Sequence, residues 1–222
     1  LTDASLVVFH SAVIACVPAV AALVAATFSP AAAAPSQVLF RISDPRVTEA
    51  SGIARGIASP SVVYVQNDSG DPARFFALDI RTGTTLATYS VPGATNVDWE
   101  DLAVARDRRG VPSVWIADIG DNGNERAEVR VYRVDEPQVG AAGKAPTGPD
   151  VWRLHYPGGP VDAEGLNVAP GGAGYIFTKS IFGATEVYAL PARPDAANVQ
   201  TLRRIGEISF RPTGTPGGPN VV

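Results

Sequence analysis

The chain has 222 residues and a formal net charge of −4, with 45% hydrophobic, 18% charged and 8% aromatic residues. That suffices for one domain with a real core, and the acidic balance leaves no electrostatic footprint for nucleic acid. A single cysteine and two histidines exclude a disulfide scaffold and thiolate metal sites, and the composition excludes a polytopic membrane protein.

Residues 6–24 are almost entirely apolar and uncharged, and they run into Ala31-Ala32-Ala33-Ala34-Pro35. An apolar run closed by small residues predicts a secretory signal peptide over residues 1–34, cleaved after Ala33 or Ala34. Secretion, with no stable membrane span after cleavage, is the expected localisation. A retained anchor is one alternative, and a lipid on Cys16, which follows Val13-Ile14-Ala15, is another. Methionine is absent even at position 1, and no Lys or Arg precedes the apolar run. A non-AUG start or a missing beginning is therefore expected.

From Gln37 onward no amphipathic helix is legible. Short runs of Val, Ile, Tyr, Phe and Trp alternate with Gly, Pro, Asp and Asn clusters, which predicts many short antiparallel strands. Residues 38–42 read as a strand ahead of a repeat. The repeat opens with Ser51-Gly52-Ile53-Ala54, then Glu100-Asp101-Leu102-Ala103, then Glu164-Gly165-Leu166-Asn167. A second strand follows each time, at Val62-Val63-Tyr64-Val65, Val114-Trp115-Ile116-Ala117 and Gly174-Tyr175-Ile176-Phe177. The third strands carry Phe76, Tyr132 and Tyr188, and the fourth span 85–91, 151–156 and 201–205. Four strands every fifty to sixty residues predict an all-β fold, a β-propeller of four-stranded antiparallel blades at 49–95, 96–159 and 160–212, within a domain over 35–222. The Gly-, Ala- and Pro-rich stretch 138–149 reads as a surface loop. Three blades do not close a ring, so a C-terminally truncated chain is expected. An open sandwich or short solenoid is the alternative.

The acidic residues recur at two places in the repeat. One precedes the first strand: Asp98 and Glu100, Asp162 and Glu164, and more loosely Glu49. The other follows the second strand: Asn67 and Asp68, Asp118 and Asp121, with Lys179 in the third unit. Alternation puts Asp98 and Glu100 on one face of their strand. Carboxylates gathered together raise one another's pKa unless a cation intervenes. Oxygen-only donors point to calcium, with magnesium second. Turn formation explains the same residue types without a metal. Asp79, Asp107 and Asp195 do not recur and read as solvated surface. His155 reads as a half-exposed surface histidine.

Together, Glu49-Ala50-Ser51-Gly52-Ile53-Ala54, Asn67-Asp68-Ser69-Gly70-Asp71, Asp98-Trp99-Glu100-Asp101-Leu102-Ala103, Ala117-Asp118-Ile119-Gly120-Asp121-Asn122 and Asp162-Ala163-Glu164-Gly165-Leu166 carry a resemblance. Over residues 37–222 the chain resembles secreted actinobacterial β-propeller proteins, and it is distantly similar to phytase-like and calcium-dependent lactonase or phosphotriesterase-like propellers. The resemblance implies a six-bladed type of ring with divalent cations in its channel. It implies metal ligands among Glu49, Asn67, Asp68, Asp98, Glu100, Asp118, Asp121, Asp162 and Glu164. Glu100 and Asp98 are then the candidate catalytic carboxylates, and Lys179 the candidate substrate contact, with Arg74 a lesser one. A metal-dependent hydrolase of ester, lactone or phosphoester substrates is one reading. A non-catalytic calcium-stabilised propeller that binds protein, a glycan or a small molecule is the other.

Overall fold

The computed structural model describes residues 37–140, 146–180 and 183–209. The expected signal peptide with Cys16, the centre of the 138–149 loop and the C-terminal Gly/Pro-rich end lie outside these residues. Among the described residues there is no helix, and so none long and apolar enough to cross a membrane.

Among the described residues thirteen strands form three sheets. Sheet 1 is an antiparallel meander of β1 (Ala50–Arg55), β2 (Val62–Asn67), β3 (Arg74–Asp79) and β4 (Thr85–Ser90). Sheet 2 repeats the pattern with β5 (Trp99–Arg106), β6 (Pro112–Asp118), β7 (Val129–Asp135) and β8 (Asp150–His155). Sheet 3 holds β9 (Ala163–Ala169), β10 (Ala173–Thr178), β11 (Thr185–Ala189) and, at its edge, β13 (Arg203–Ile208). Between β11 and β13 the chain crosses back as β12 (Asp195–Thr201), which pairs in parallel with β8 of sheet 2.

Hairpin chemistry explains the meanders. In the β3–β4 turn, Asp79 Oδ1 accepts from the backbone N–H groups of Arg81 and Thr82, and Gly83 closes the turn at φ +71°. A left-handed φ of that kind suits glycine. Asp195 caps the start of β12 in the same way, through Ala197 and Asn198. Both thus sit at strand ends and are half-buried.

The sheets pack through alternate residues of their strands. Sheet 2 is buried on both faces. Val114 and Ile116 of β6 meet Tyr64, Phe75 and Tyr89 of sheet 1, while Trp115 and Ala117 meet Leu166, Ile176 and Tyr188 of sheet 3. This explains why β6 reads as a continuous apolar run rather than a half-polar one. The first strands β1, β5 and β9 lie side by side without hydrogen-bonding as one sheet. Gly52 makes the first approach possible, because a Cβ there would stand 2.5 Å from Leu102 N of β5. Asp101 makes the second, its Oδ2 accepting from Leu166 N of β9 at 2.8 Å.

Three expectations are corrected. Residues 38–42 form no strand; Phe40 and Ile42 instead cover the outer face of sheet 1, against Val63, Val65, Phe76 and Leu78. The last strand of the third unit begins at Arg203 rather than Thr201, because Thr201 ends β12, and Leu202 is buried between the two. Asp107 is not solvated surface. It is 4% exposed and sits against Arg109 and Arg133.

Candidate metal centre

The site grows from one backbone pattern used three times. The carbonyl just ahead of each first strand accepts a backbone N–H from just beyond the second strand. Asp68 N bonds Glu49 O (2.9 Å), Ile119 N bonds Asp98 O (3.1 Å) and Lys179 N bonds Asp162 O (3.0 Å). Glu49, Asp98 and Asp162 are therefore equivalent positions. In each sheet the register then slips within the first residues of the first strand: between Ala50 and Ile53, between Trp99 and Asp101, and between Ala163 and Gly165. The extra residue is Glu100 in sheet 2 and Glu164 in sheet 3, and Ser51 falls at the matching place in sheet 1. A bulge re-aims its extra side chain. Here the re-aimed groups converge, with Ser51 Oγ 3.5 Å from Glu100 Oε2.

Two trios result. Asp68, Asp98 and Glu100 offer oxygens within 4.8 Å of one another, and so do Glu100, Asp162 and Glu164. Glu100 belongs to both. Gly120 packs against the cluster, and a Cβ there would collide with Glu100 Oε1 and Asp98 Oδ2.

The electrostatics follow from that crowding. Burial, then the neighbouring Glu164 and Asp68 carboxylates, push Glu100 far above the usual carboxylate range. Burial and Asp68 push Asp98 up to about 6, against the pull of Arg126. Burial also pushes Asp101 up to about 6, despite its backbone hydrogen bonds to Leu166 and Leu102. On the far side Lys179 Nζ lies 2.5 Å from Glu164 Oε1 and 3.5 Å from Asp162 Oδ2, and it donates to Asn122 Oδ1 at 3.2 Å. Its hydrogen bond with Glu164 raises its own pKa.

The other positions read from the sequence lie outside the two trios. Asn67 Oδ1 accepts from Thr48 N and Glu49 N, and its Nδ2 donates to Arg46 O and Asp71 Oδ2. Asp118 Oδ1 accepts from Asp98 N and from Arg126. Its wholly buried Oδ2 has no partner among the described residues, and burial raises its pKa. Asn67 and Asp118 thus do one job in two sheets, fixing the backbone that carries Glu49 and Asp98. Asp121 accepts from Glu125 N and Arg126 N and shapes its own loop, while its N–H donates to Asp162 Oδ1. Glu49 is exposed and belongs to neither trio. Arg74 is taken by Asp71 through two bonds of 2.8 and 2.6 Å. His155 sits in β8, bonded to Thr201 Oγ1 at 2.7 Å.

Sequence reasoning passed over Ser51, Gly120 and Arg126. The signal for Ser51 was present, since it aligns with Glu100 and Glu164 in the repeat. Nothing local marked Gly120 or Arg126, whose roles depend on a loop folding back.

The donor set fits a hard cation. It offers carboxylate oxygens from three adjoining strands and loops, without sulfur or imidazole, at a spacing that raises the pKa of Glu100. No protein-family model matches the chain, and no curated protein matches it.

Proposed function

We infer that the chain is part of a secreted, calcium-binding β-propeller whose successive sheets are blades, and that its acidic cluster serves a metal-dependent hydrolase of ester, lactone or phosphoester substrates. The observation that carries this reading is the convergence of Asp68, Asp98, Glu100, Asp162 and Glu164, with Glu100 common to both trios. Side-by-side first strands that do not join one sheet agree with a radial arrangement of blades. Asp68, Asp98 and Glu100 would hold one cation, and Glu100, Asp162 and Glu164 a second or a shared one, with magnesium the weaker fit for so irregular a donor set. A bound calcium supplies Lewis acidity toward a carbonyl or phosphoryl oxygen and toward water.

The protein's own groups divide the remaining work. Asp118 and Asn67 hold the strand starts in place. Arg126 ties the loop after β6 through Gly120 O at 2.6 Å and Asp118 Oδ1 at 2.8 Å. Asp98, which belongs to one trio only, is the carboxylate that would take the proton of an attacking water as general base.

One observation favours the non-catalytic alternative, a calcium-stabilised propeller that binds a glycan, a protein or a small molecule. Lys179, the candidate substrate contact, is already neutralised by Glu164 and Asp162. A screen of lactone, aryl ester and phosphoester hydrolysis, with calcium and with chelator, separates the two. Calcium-dependent turnover absent from Glu100→Gln supports the hydrolase. Calcium binding without turnover on any of these substrates leaves the binding module.

A further inference from the structure

At the opposite end of β5, roughly 25 Å along the strand, sheets 2 and 3 part around a cavity of about 280 Å³. Its lining is unlike the rest of this acidic chain. Four arginines line it, together with Asp107 and Asp150. Two of the four are spoken for. Arg133 is held by Asp107 and Asp150, and Arg109 by Asp107 and Asp135. Arg108 and Arg193 are exposed and have no acidic partner among the described residues.

The apolar wall is the Trp115–Trp152 pair, whose ring centroids lie 5.0 Å apart at 31°. Trp152 Nε1 donates to Pro191 O at 3.0 Å. Trp115 Nε1 and Arg133 Nε are buried with no acceptor among the described residues.

The cavity is also held in shape. Arg193 stands on the crossover into β12, and its carbonyl accepts from Gln200 Nε2 at 3.2 Å. Gly172, at φ +79°, lets the β9–β10 turn press on the β5–β6 turn. A Cβ there would meet Arg108 N at 3.0 Å and Asp107 Cα at 3.2 Å.

We propose that this cavity is a binding site for a small aromatic carboxylate, with the carboxylate held by Arg108 and Arg193 and the ring against the indole wall. Paired guanidinium groups suit a planar carboxylate. A volume just under the ~300–1,000 Å³ of drug-sized sites limits the ligand to a single ring. Inorganic phosphate would gain nothing from the indoles.

The test is calorimetric titration of the full chain with benzoate, in excess chelator so that the acidic cluster holds no calcium. Benzyl alcohol and inorganic phosphate serve as comparison probes. Benzoate is expected to bind with a Kd in the millimolar range or tighter. An Arg108→Gln/Arg193→Gln double variant, at two exposed side chains without acidic partners among the described residues, is expected to weaken it at least about tenfold with unchanged circular dichroism. Benzyl alcohol and phosphate are expected to bind more weakly than benzoate. No benzoate binding, equal binding by the double variant, or phosphate binding as tightly as benzoate would each overturn the proposal.

Discussion

At the start of β5, Asp98 and Glu100 face other carboxylates; at its end, Asp107 faces Arg109 and Arg133. Both groups of acids are removed from water, so burial pushes all of their pKa values up. At the start, like charges add to that push. At the end, the backbone N–H of Val111 and the Arg109 guanidinium reverse it and hold Asp107 at about 2. The same residue type on one strand thus takes opposite roles according to what the neighbouring loop supplies. The Asp107 end is complete within the protein. The Glu100 end gathers carboxylates without an arginine in either trio.

The largest effect that tests this contrast is calcium itself. At a thousandfold excess over its Kd it should add about 4 kcal/mol to the folded state. Thermal unfolding would then shift by several degrees between calcium and chelator, at about 2–4 °C per kcal/mol for a domain of this size. Glu100→Gln should lose most of that shift. A midpoint indifferent to chelator breaks the comparison.

Next comes Arg133→Met, which leaves buried Asp107 with Arg109 alone. A loss of about 3 kcal/mol is expected in denaturant titration, the same with and without calcium. A loss that depends on calcium would mean that the two ends of β5 are coupled.

Gly120→Ala crowds only the acidic end. It should cost about 2 kcal/mol even in chelator, as overpacking does, and further weaken the calcium shift, because the methyl group displaces the Glu100 and Asp98 carboxylates. Equal calcium shifts in the variant and the parent would show that the cluster can open to accept a methyl group.

The smallest effects are in pH. Glu100 has a folded-state pKa above its ordinary 4.5, so the folded chain binds the extra proton. Chelated protein should therefore lose stability as pH rises above that value, and Glu100→Gln should flatten the slope. Glu128 has the opposite sign, since its bonds to Arg153 and Arg130 bring it down to about 2. Its contribution is present above 4.5 and is lost as pH falls toward 2. Because Glu128 and its partners are reached by solvent, Glu128→Gln should alter that acid limb by less than about 1 kcal/mol.

Much of the strand order was legible because each sheet repeats the same apolar spacing, as in Val62-Val63-Tyr64-Val65 and Val114-Trp115-Ile116-Ala117. The acidic positions were legible for the same reason. What could not be read was anything set by contact across sheets. The segment Ala196-Ala197-Asn198-Val199-Gln200 shows no alternation, and β12 exists because β8 offers it an edge. The bulges at Glu100 and Glu164 break the two-residue period on which face assignments rest. Asp107 looks like an ordinary turn residue, and its burial comes from Arg133 on a strand 26 residues later.

The crossover of β12 has a consequence for how the chain comes apart. A strand in sheet 2 runs through buried Leu202 directly into a strand of sheet 3, so neither sheet can release its edge without disturbing the other. Amide hydrogens of β8, β11, β12 and β13 should therefore exchange with solvent through one shared opening event. Sheet 1, which lends no strand to either neighbour, is free to open on its own.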